Sequence, residues 1–397
     1  MKSEQIQNLD FDYILPTYGR LPVVPAKAES ATMVDADGKK YIDFTSGIGV
    51  NSLGWCNKAW TFAVEAQLGK FQHISNYYYC EPASILAEKL AKASGLKKMF
   101  FGNSGAEANE GAIKLARKYS YDKYGDNRST IVTLKQSFHG RTVTTLAATG
   151  QNSFHTYFHP FTEGFKYAEA GNLDDLKANI TDDVCAVMCE MIQGEGGVNV
   201  LTQDYIKSAF ALCNEKDILF IADEVQTGIG RTGKMFAYQN YGILPDVITL
   251  AKGLGGGLPI GVFMTGEKAL GTLTAGTHGS TFGANPISCA GANVVVDTVG
   301  TDKFLASVNE KGKYITDKIL AWDNLKTEIK SIKGMGLMIG IQIGSSPKEY
   351  LGKAAEMGLL ILSAGSDVVR LLPPLNITYA EIDEGLAILN QIFAELK

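Results

Sequence analysis

Two charged residues stand where strand-like apolar runs stop. The run ILFIAD ends in Asp223, and the run DVITLAK ends in Lys252. In open α/β sheets ligands gather outside the carboxyl ends of the strands, so a carboxylate and an ammonium on one rim are candidates for chemistry. Two readings are open. The pair can be a structural salt bridge at the sheet edge, although a buried pair gains little net stability and an unpaired member costs about 3–5 kcal/mol. Alternatively, a bound ligand uses both charges. A third element, FFGNSGAEANEGAIKLARKYS, runs from a strand into Gly102-Asn103-Ser104-Gly105 and then into a helical pattern. Such a helix start offers free backbone N–H groups and the positive end of a dipole to a phosphate. Taken alone it reads first as an ordinary capped helix, with Ser104 as N-cap and Glu107 closing a capping box. Taken with Asp223 and Lys252 it becomes an anion cradle on the same rim.

A phosphate, a basic ring nitrogen and a carbon needing a lysine amine together describe pyridoxal phosphate. The carboxylate would keep the ring nitrogen protonated, and the lysine would form a Schiff base and shuttle the proton. For that the lysine must be reachable as the neutral amine, which a desolvated strand end favours.

The elements that must position these residues follow from hydropathy. Apolar runs at KKMFFG, STIVTL, VCAVMCE, ILFIADEV, DVITLAK and IGVFMTG alternate with helical patterns such as 106–124 and 204–216. Continuous apolar strands interleaved with helices predict an α/β fold with a mostly parallel sheet covered on both faces. An Asp-Gly turn within TMVDADGKKYIDF, at 32–44, predicts a β-hairpin. A helix over 302–324 is expected to lead into a second αβ set: strands in KSIKGMGLMIGIQI, a helix near 350–356 and a strand in VVRLLPP. The resulting division is an N-terminal segment (1–50) belonging to a small domain, a large ligand-binding domain (51–295) and a C-terminal small domain (296–397).

Composition excludes several classes. With 397 residues, 45% hydrophobic and 20% charged, the chain is neither disordered, collagen-like nor a disulfide miniprotein. A formal net charge of -5 provides no global basic field for nucleic acid. Six Cys, none in CxxC pairs, point to reduced cytosolic thiols. The polar start MKSEQIQNLD lacks the apolar core of a signal peptide, and no apolar stretch approaches the ~20 residues of a membrane span. A cytoplasmic protein is expected.

At the residues described above the chain resembles a known family. Five blocks match in order: NSGAEANEGAIKLAR, SFHGRT, MIQGEGGV, IADEVQTGIGRTGKMFA with LAKGLGGGLPIG, and HGSTFGANPISCAGA. The sequence is similar to class III (ω-amino) aminotransferases, which are fold-type I pyridoxal phosphate enzymes. The likeness runs from about Tyr18 to Arg370. It implies Lys252 as Schiff-base lysine and proton shuttle, and Asp223 as partner of the pyridinium nitrogen. It places Val225 under the ring, Gln226 near the phenolic oxygen and Phe138 on the opposite face. Gly105 and Ala106 would give N–H groups to the phosphate. Thr281 would complete the phosphate site from the partner subunit, with Ser280 beside it near the substrate, so the resemblance implies a homodimer with its active site at the interface.

By the same resemblance Arg141 clamps the carboxylate of the bound amino acid, since guanidinium presents a two-pronged fork. Glu195 and Arg370 address a dual-substrate problem. A donor reacting at its far end brings no carboxylate to the reacting carbon, so Arg370 needs a counter-charge that swings aside when an α-carboxylate arrives. Within the family, SGIGVNSLG and HGSTFGANP are most similar to members that move the terminal amine of N-acetylornithine to 2-oxoglutarate. Ornithine, 4-aminobutyrate and N-succinyldiaminopimelate remain open as donors, as does a glutamate-1-semialdehyde aminomutase-like reaction. Tyr18, in TYGRLP, lies where ornithine enzymes carry a tyrosine that contacts the substrate amine. The chain departs from the family's Gly-His-Cys-His-Pro with Gly54-Trp55-Cys56-Asn57-Lys58, which bears on contacts near the expected interface.

Three patterns suggest other chemistry. Gly228 to Gly233 match G-x-G-x-x-G after a strand, but no clean helix and no acid-terminated strand follow, which argues against a dinucleotide site. His155 and His159 are spaced i,i+4 without a third ligand, so no metal is expected. Cys185 and Cys189 share one face of an apolar strand and read as core.

Overall fold

The structure, a computed structural model, describes residues 1–322 and 329–396. Its centre is a seven-stranded sheet in the order Lys98–Gly102, Gly261–Thr265, Val247–Leu250, Leu219–Asp223, Val184–Cys189, Thr130–Leu134, Phe165–Ala168. The pairings among the last five are parallel. Gly261–Thr265 runs antiparallel to both of its neighbours. The sheet is therefore mixed, a refinement of the mostly parallel sheet expected. The reason is loop length: the connection 251–260 is shorter than the dozen or so residues a parallel crossover needs.

Strands VCAVMC, LFIAD and VITL are buried at every position. Their side chains alternate between two cores, with Phe220 and Ala222 in one and Leu219 and Ile221 in the other. The second core also receives Ala112, Leu115 and Ala116 from the helix Gly105–Tyr124. Continuing the period-two alternation beyond Ala222 puts Asp223 on that helix's side of the sheet. This step decides where its carboxylate points.

The expected hairpin is formed by Thr32–Asp35 and Lys40–Asp43. Asp35 Oδ1 accepts the N–H groups of Asp37 and Lys39 at 3.0 and 2.8 Å, which holds the turn closed. Pro25–Glu29 pairs on one side of the hairpin and Leu359–Leu360, from far along the chain, on the other. A separate antiparallel sheet contains Ser331–Met335, Met338–Gln342, Val368–Leu371 and Leu362–Ala364. It is accompanied by helices Asp302–Leu320, Lys348–Met357 and Tyr379–Glu395. The helix expected over 302–324 is described to Leu320, and its final expected residue, Asn324, lies outside the described residues. Among the described residues no helix is long and apolar enough to cross a membrane.

Candidate active site

A cavity of about 570 Å³ opens at the carboxyl rim of the large sheet. Asp223, the last residue of its strand, and Lys252, two residues past the end of the next, both line it. So do Gly105, Ala106, Phe138 and Arg141, and also Val225, Gln226 and Tyr18.

Asp223 and Lys252 do not form the simple salt bridge that their spacing allowed. Asp223 Oδ2 instead meets Asn109 Nδ2 and His139 Nδ1, each at 2.8 Å, while Oδ1 accepts the N–H of Val225 at 3.0 Å. Asn109 reaches it because it sits on the buried face of the helix Gly105–Tyr124. The carboxylate is thus immobilised and points charge toward the cavity. The Lys252 ammonium makes no hydrogen bond or ion pair among the described residues, while the backbone carbonyl of the residue accepts the N–H of Gly255 at 3.0 Å. The backbone φ of Lys252 is 44°, a conformation that non-glycine residues rarely adopt and that concentrates at functional sites.

Burial lowers the pKa of the Lys252 ammonium below the ordinary lysine value. Glu195, Asp223 and Glu190 oppose this, and Arg370 reinforces it. The nucleophilic neutral amine is therefore more accessible than in a solvated lysine. Capture of pyridoxal phosphate by cofactor-free protein should show a pH midpoint below the ~10.4 of a free lysine. Removing the negative charge in Glu195→Gln should lower that midpoint further, and removing the positive charge in Arg370→Met should raise it. Absorbance-monitored capture after pH jumps measures both shifts. An ordinary midpoint unmoved by either change would contradict this account.

The helix start is built as a cradle. Ser104 Oγ caps the helix by accepting the N–H of Glu107 at 3.2 Å. The Glu107 side chain reaches one residue farther back than the expected box, accepting the Asn103 N–H at 2.6 Å. The N–H groups of Gly105 and Ala106 lie within the first turn, where no intrahelical acceptor exists. A Cβ on Gly105 would lie 2.7 Å from Val225 Cγ1, so glycine is what allows the helix start to approach the cavity floor. Unpaired N–H groups, an apolar floor at Val225, an aromatic wall at Phe138, an anchored carboxylate and an uncommitted lysine fit pyridoxal phosphate.

The substrate side has two arginines in different states. Arg141 is exposed, lies over the rings of Phe154 and Phe138 at 4.1 and 5.5 Å, and forms no ion pair among the described residues. Arg370, on the strand Val368–Leu371, is buried and bonded to Glu195 through both terminal nitrogens, at 2.7 and 3.1 Å. Gln226 brackets this pair, donating to Glu195 Oε1 at 3.1 Å and accepting from Arg370 at 3.0 Å. Burial raises the Glu195 pKa, but the adjacent guanidinium outweighs it and holds the carboxyl below its ordinary value. The Glu195 side chain retains 29% exposure against 3% for Arg370, so Glu195 is the partner with room to move.

Ser280 lies beside the cradle, its Oγ accepting from Asn103 Nδ2 at 3.2 Å. Thr281 is exposed and does not line the cavity of its own chain.

Three residues of the site had no role assigned from sequence: Asn109, His139 and Glu190. Glu190 had a usable signal, because it ends the run VCAVMC as Asp223 ends LFIA. Asn109 and His139 lie inside matched blocks but reveal their partner only through the fold. The glycine pattern at 228–233 serves another purpose. Its Arg231 is buried and donates to the carbonyls of Leu337 and Pro373 and to Ser46 Oγ, joining three distant segments. His155 bonds the Leu146 carbonyl at 2.9 Å. Cys185 and Cys189 are buried, and burial pushes both thiols up, Cys185 to about 12.

Comparison with known proteins places the chain in a family and a fold. The profile described as aminotransferase class-III matches residues 13–393. The acetylornithine aminotransferase of Haemophilus ducreyi is 50% identical over 100% of both chains. An ornithine aminotransferase structure from Toxoplasma gondii, described with partial occupancy of PLP at the active site, superimposes with a TM-score of 0.93. It is 30% identical and covers 99% of this chain and 94% of that one. The N-acetylornithine aminotransferase structure from Stenotrophomonas maltophilia gives a TM-score of 0.85 at 34% identity, covering 98% of each chain.

Proposed function

The chain belongs to the class-III aminotransferases, pyridoxal phosphate-dependent enzymes, and from that premise we propose that it moves the terminal amino group of N-acetylornithine to 2-oxoglutarate. The products would be N-acetylglutamate semialdehyde and glutamate, a step of arginine biosynthesis in the cytoplasm. The observation that carries this reading is a pair of arginines, Arg141 open in the cavity wall and Arg370 behind it, bonded to the cavity-lining Gln226 and masked by Glu195.

The two substrates differ in charge. The donor presents a carboxylate only at the end remote from its reacting amine, whereas 2-oxoglutarate has one carboxylate next to the reacting carbon and another at its far end. Arg141 binds the remote carboxylate of either, its planar fork preorganised by Phe154 and Phe138. Arg370 would trap a carboxylate at the reacting end, which only the acceptor has. Glu195 covers it during the donor half-reaction and withdraws for the acceptor.

When bound, pyridoxal phosphate supplies an aldehyde that captures amines and a cationic ring that accepts electron density from the reacting carbon. Gly105 and Ala106 would hold its phosphate through backbone N–H groups. Val225 and Phe138 would enclose its ring, with Gln226 at its phenolic oxygen. Asp223, held between Asn109 and His139, would retain the proton on its ring nitrogen. The Lys252 amine would hold the aldehyde carbon at rest and move the proton at the reacting carbon.

A homodimer is part of this reading. Tyr77, Tyr78 and Tyr79 are 93%, 68% and 101% exposed, and Phe282 is 60% exposed. These aromatics adjoin the cradle, because Asn76 Nδ2 donates to the Ser280 and Gly283 carbonyls. Covering them with a second copy would remove an apolar patch from water and bring Thr281 of the partner subunit to the phosphate. The grouping of 1–50 with 296–397 beside the 51–295 domain belongs to the same reading and is supported by the pairing of Leu359–Leu360 with Lys40–Asp43.

Glu195→Gln removes the counter-charge on Arg370. The donor half-reaction should lose about 10–100-fold in kcat/KM, the range for one charge-assisted bond, while the 2-oxoglutarate half-reaction changes little. Single-turnover kinetics of each half-reaction separate the two. Equal losses in both would contradict the switch.

Tyr18 at the cavity mouth favours one second reading, free ornithine as donor. A panel of N-acetylornithine, ornithine, 4-aminobutyrate and N-succinyldiaminopimelate with 2-oxoglutarate tests both. The highest kcat/KM is expected for N-acetylornithine. Preference for ornithine would overturn the donor assignment, and absence of glutamate from every donor would overturn transfer itself.

A further inference from the structure

Glu190 is a buried carboxylate that lines the cavity and has no part in the scheme above. It follows Cys189, which pairs with Ala222, so it projects from the rim beside Asp223. Its two oxygens go to two different loops. Oε2 accepts the N–H of Phe138 at 3.0 Å, and Oε1 accepts the N–H of Gly194 at 3.3 Å. The first loop continues through His139 to Arg141, and the second passes directly into Glu195. Gly194 is packed tightly here, since a Cβ on it would collide with Gln226 Oε1.

Only a carboxylate satisfies both N–H groups. Glutamine has one acceptor oxygen and would turn an NH₂ donor against the other N–H; aspartate is one methylene too short to span the same gap. Placing this charge beside Asp223 is unfavourable, and burial together with Asp223 raises its pKa, with His139 opposing. The two oxygens of this buried side chain nonetheless tie two separate loops together through their backbone N–H groups.

We propose that Glu190 is a positioning residue that fastens the Phe138–Arg141 loop to the Gly194–Glu195 loop, fixing the spacing between the arginine that takes the remote carboxylate and the glutamate that covers Arg370. The inference rests on the roles given to Arg141 and Glu195 above. It accounts for how two loops more than fifty residues apart in sequence (138 and 194) act on one substrate.

The test uses Glu190→Gln in the loaded enzyme and in cofactor-free protein. Amide hydrogen exchange at Phe138, Gly194 or both should quicken at least about tenfold in each form, with the central strands unchanged. KM for both substrates should rise about tenfold while kcat changes less than about threefold. Unchanged exchange at both amides, or a fall in kcat with KM intact, would overturn the proposal. If the glutamine variant does not fold, wild-type protein still decides. Corrected for intrinsic rates, the two amides should exchange within about threefold of each other, because one carboxylate releases both; rates differing by more than about tenfold would overturn it. The exchange measurements need no substrate, so failure of the donor assignment leaves them standing.

Discussion

Lys252→Ala should lower the rate of both half-reactions by at least about 10⁴-fold, the scale on which a residue combining covalent capture and proton transfer contributes. Lys252 is the sole lysine among the described residues lining the cavity, which leaves no other lysine lining it to take over the proton at the reacting carbon. The cofactor should still bind, because the N–H groups of Gly105 and Ala106 and the carboxylate of Asp223 are untouched. The variant should therefore be loaded but nearly inert, and an added small primary amine should restore part of the rate. Rapid-mixing absorbance measurements of each half-reaction provide the check. A loss smaller than about tenfold would remove Lys252 from the chemistry.

The second large effect is expected at Asp223. In Asp223→Asn the side chain keeps its shape but loses its charge, and whichever way its amide turns its NH₂ meets an N–H donor, Asn109 Nδ2 on one side or Val225 N–H on the other. Removing one member of a buried charge pair costs about 3–5 kcal/mol, which corresponds to roughly 10²–10⁴ in rate if the ring nitrogen then gives up its proton. Asp223→Glu, which preserves charge but displaces it by one methylene, should recover part of the loss. A substitution confined to positioning, Asn109→Ala, should cost less than Asp223→Asn, because Val225 N–H and His139 remain. Half-reaction kinetics and the absorbance of the bound cofactor distinguish the three variants. Activity of Asp223→Asn within about tenfold of wild type would contradict the role assigned to this carboxylate.

The parts of this site legible in the sequence are those encoded within a few residues. A run such as LFIAD announces both a buried strand and the residue at its end, and NSGAE announces a helix start. Pairings across the fold are not written that way. Glu195 and Arg370 lie 175 residues apart, and Asp223 and His139 lie 84 apart, so no local spacing could join them. The roles of Glu195 and Arg370 came from resemblance, that of Asp223 from its place at a strand end, and that of His139 was missed. Glu190 shows a different limit. Its position at a strand end was visible, but which backbone N–H groups its oxygens would meet depends on two loops folding back over the rim. The antiparallel strand Gly261–Thr265 was readable as a strand but not in its direction, which follows from the short connection before it.

Trapping the cofactor on the protein tests the central claim most directly. Purified protein incubated with pyridoxal phosphate, reduced with borohydride and cleaved into peptides should carry one stable pyridoxyl group, on the peptide containing Lys252. A group found on another lysine, or no group at all under conditions that preserve transfer activity, would contradict the account.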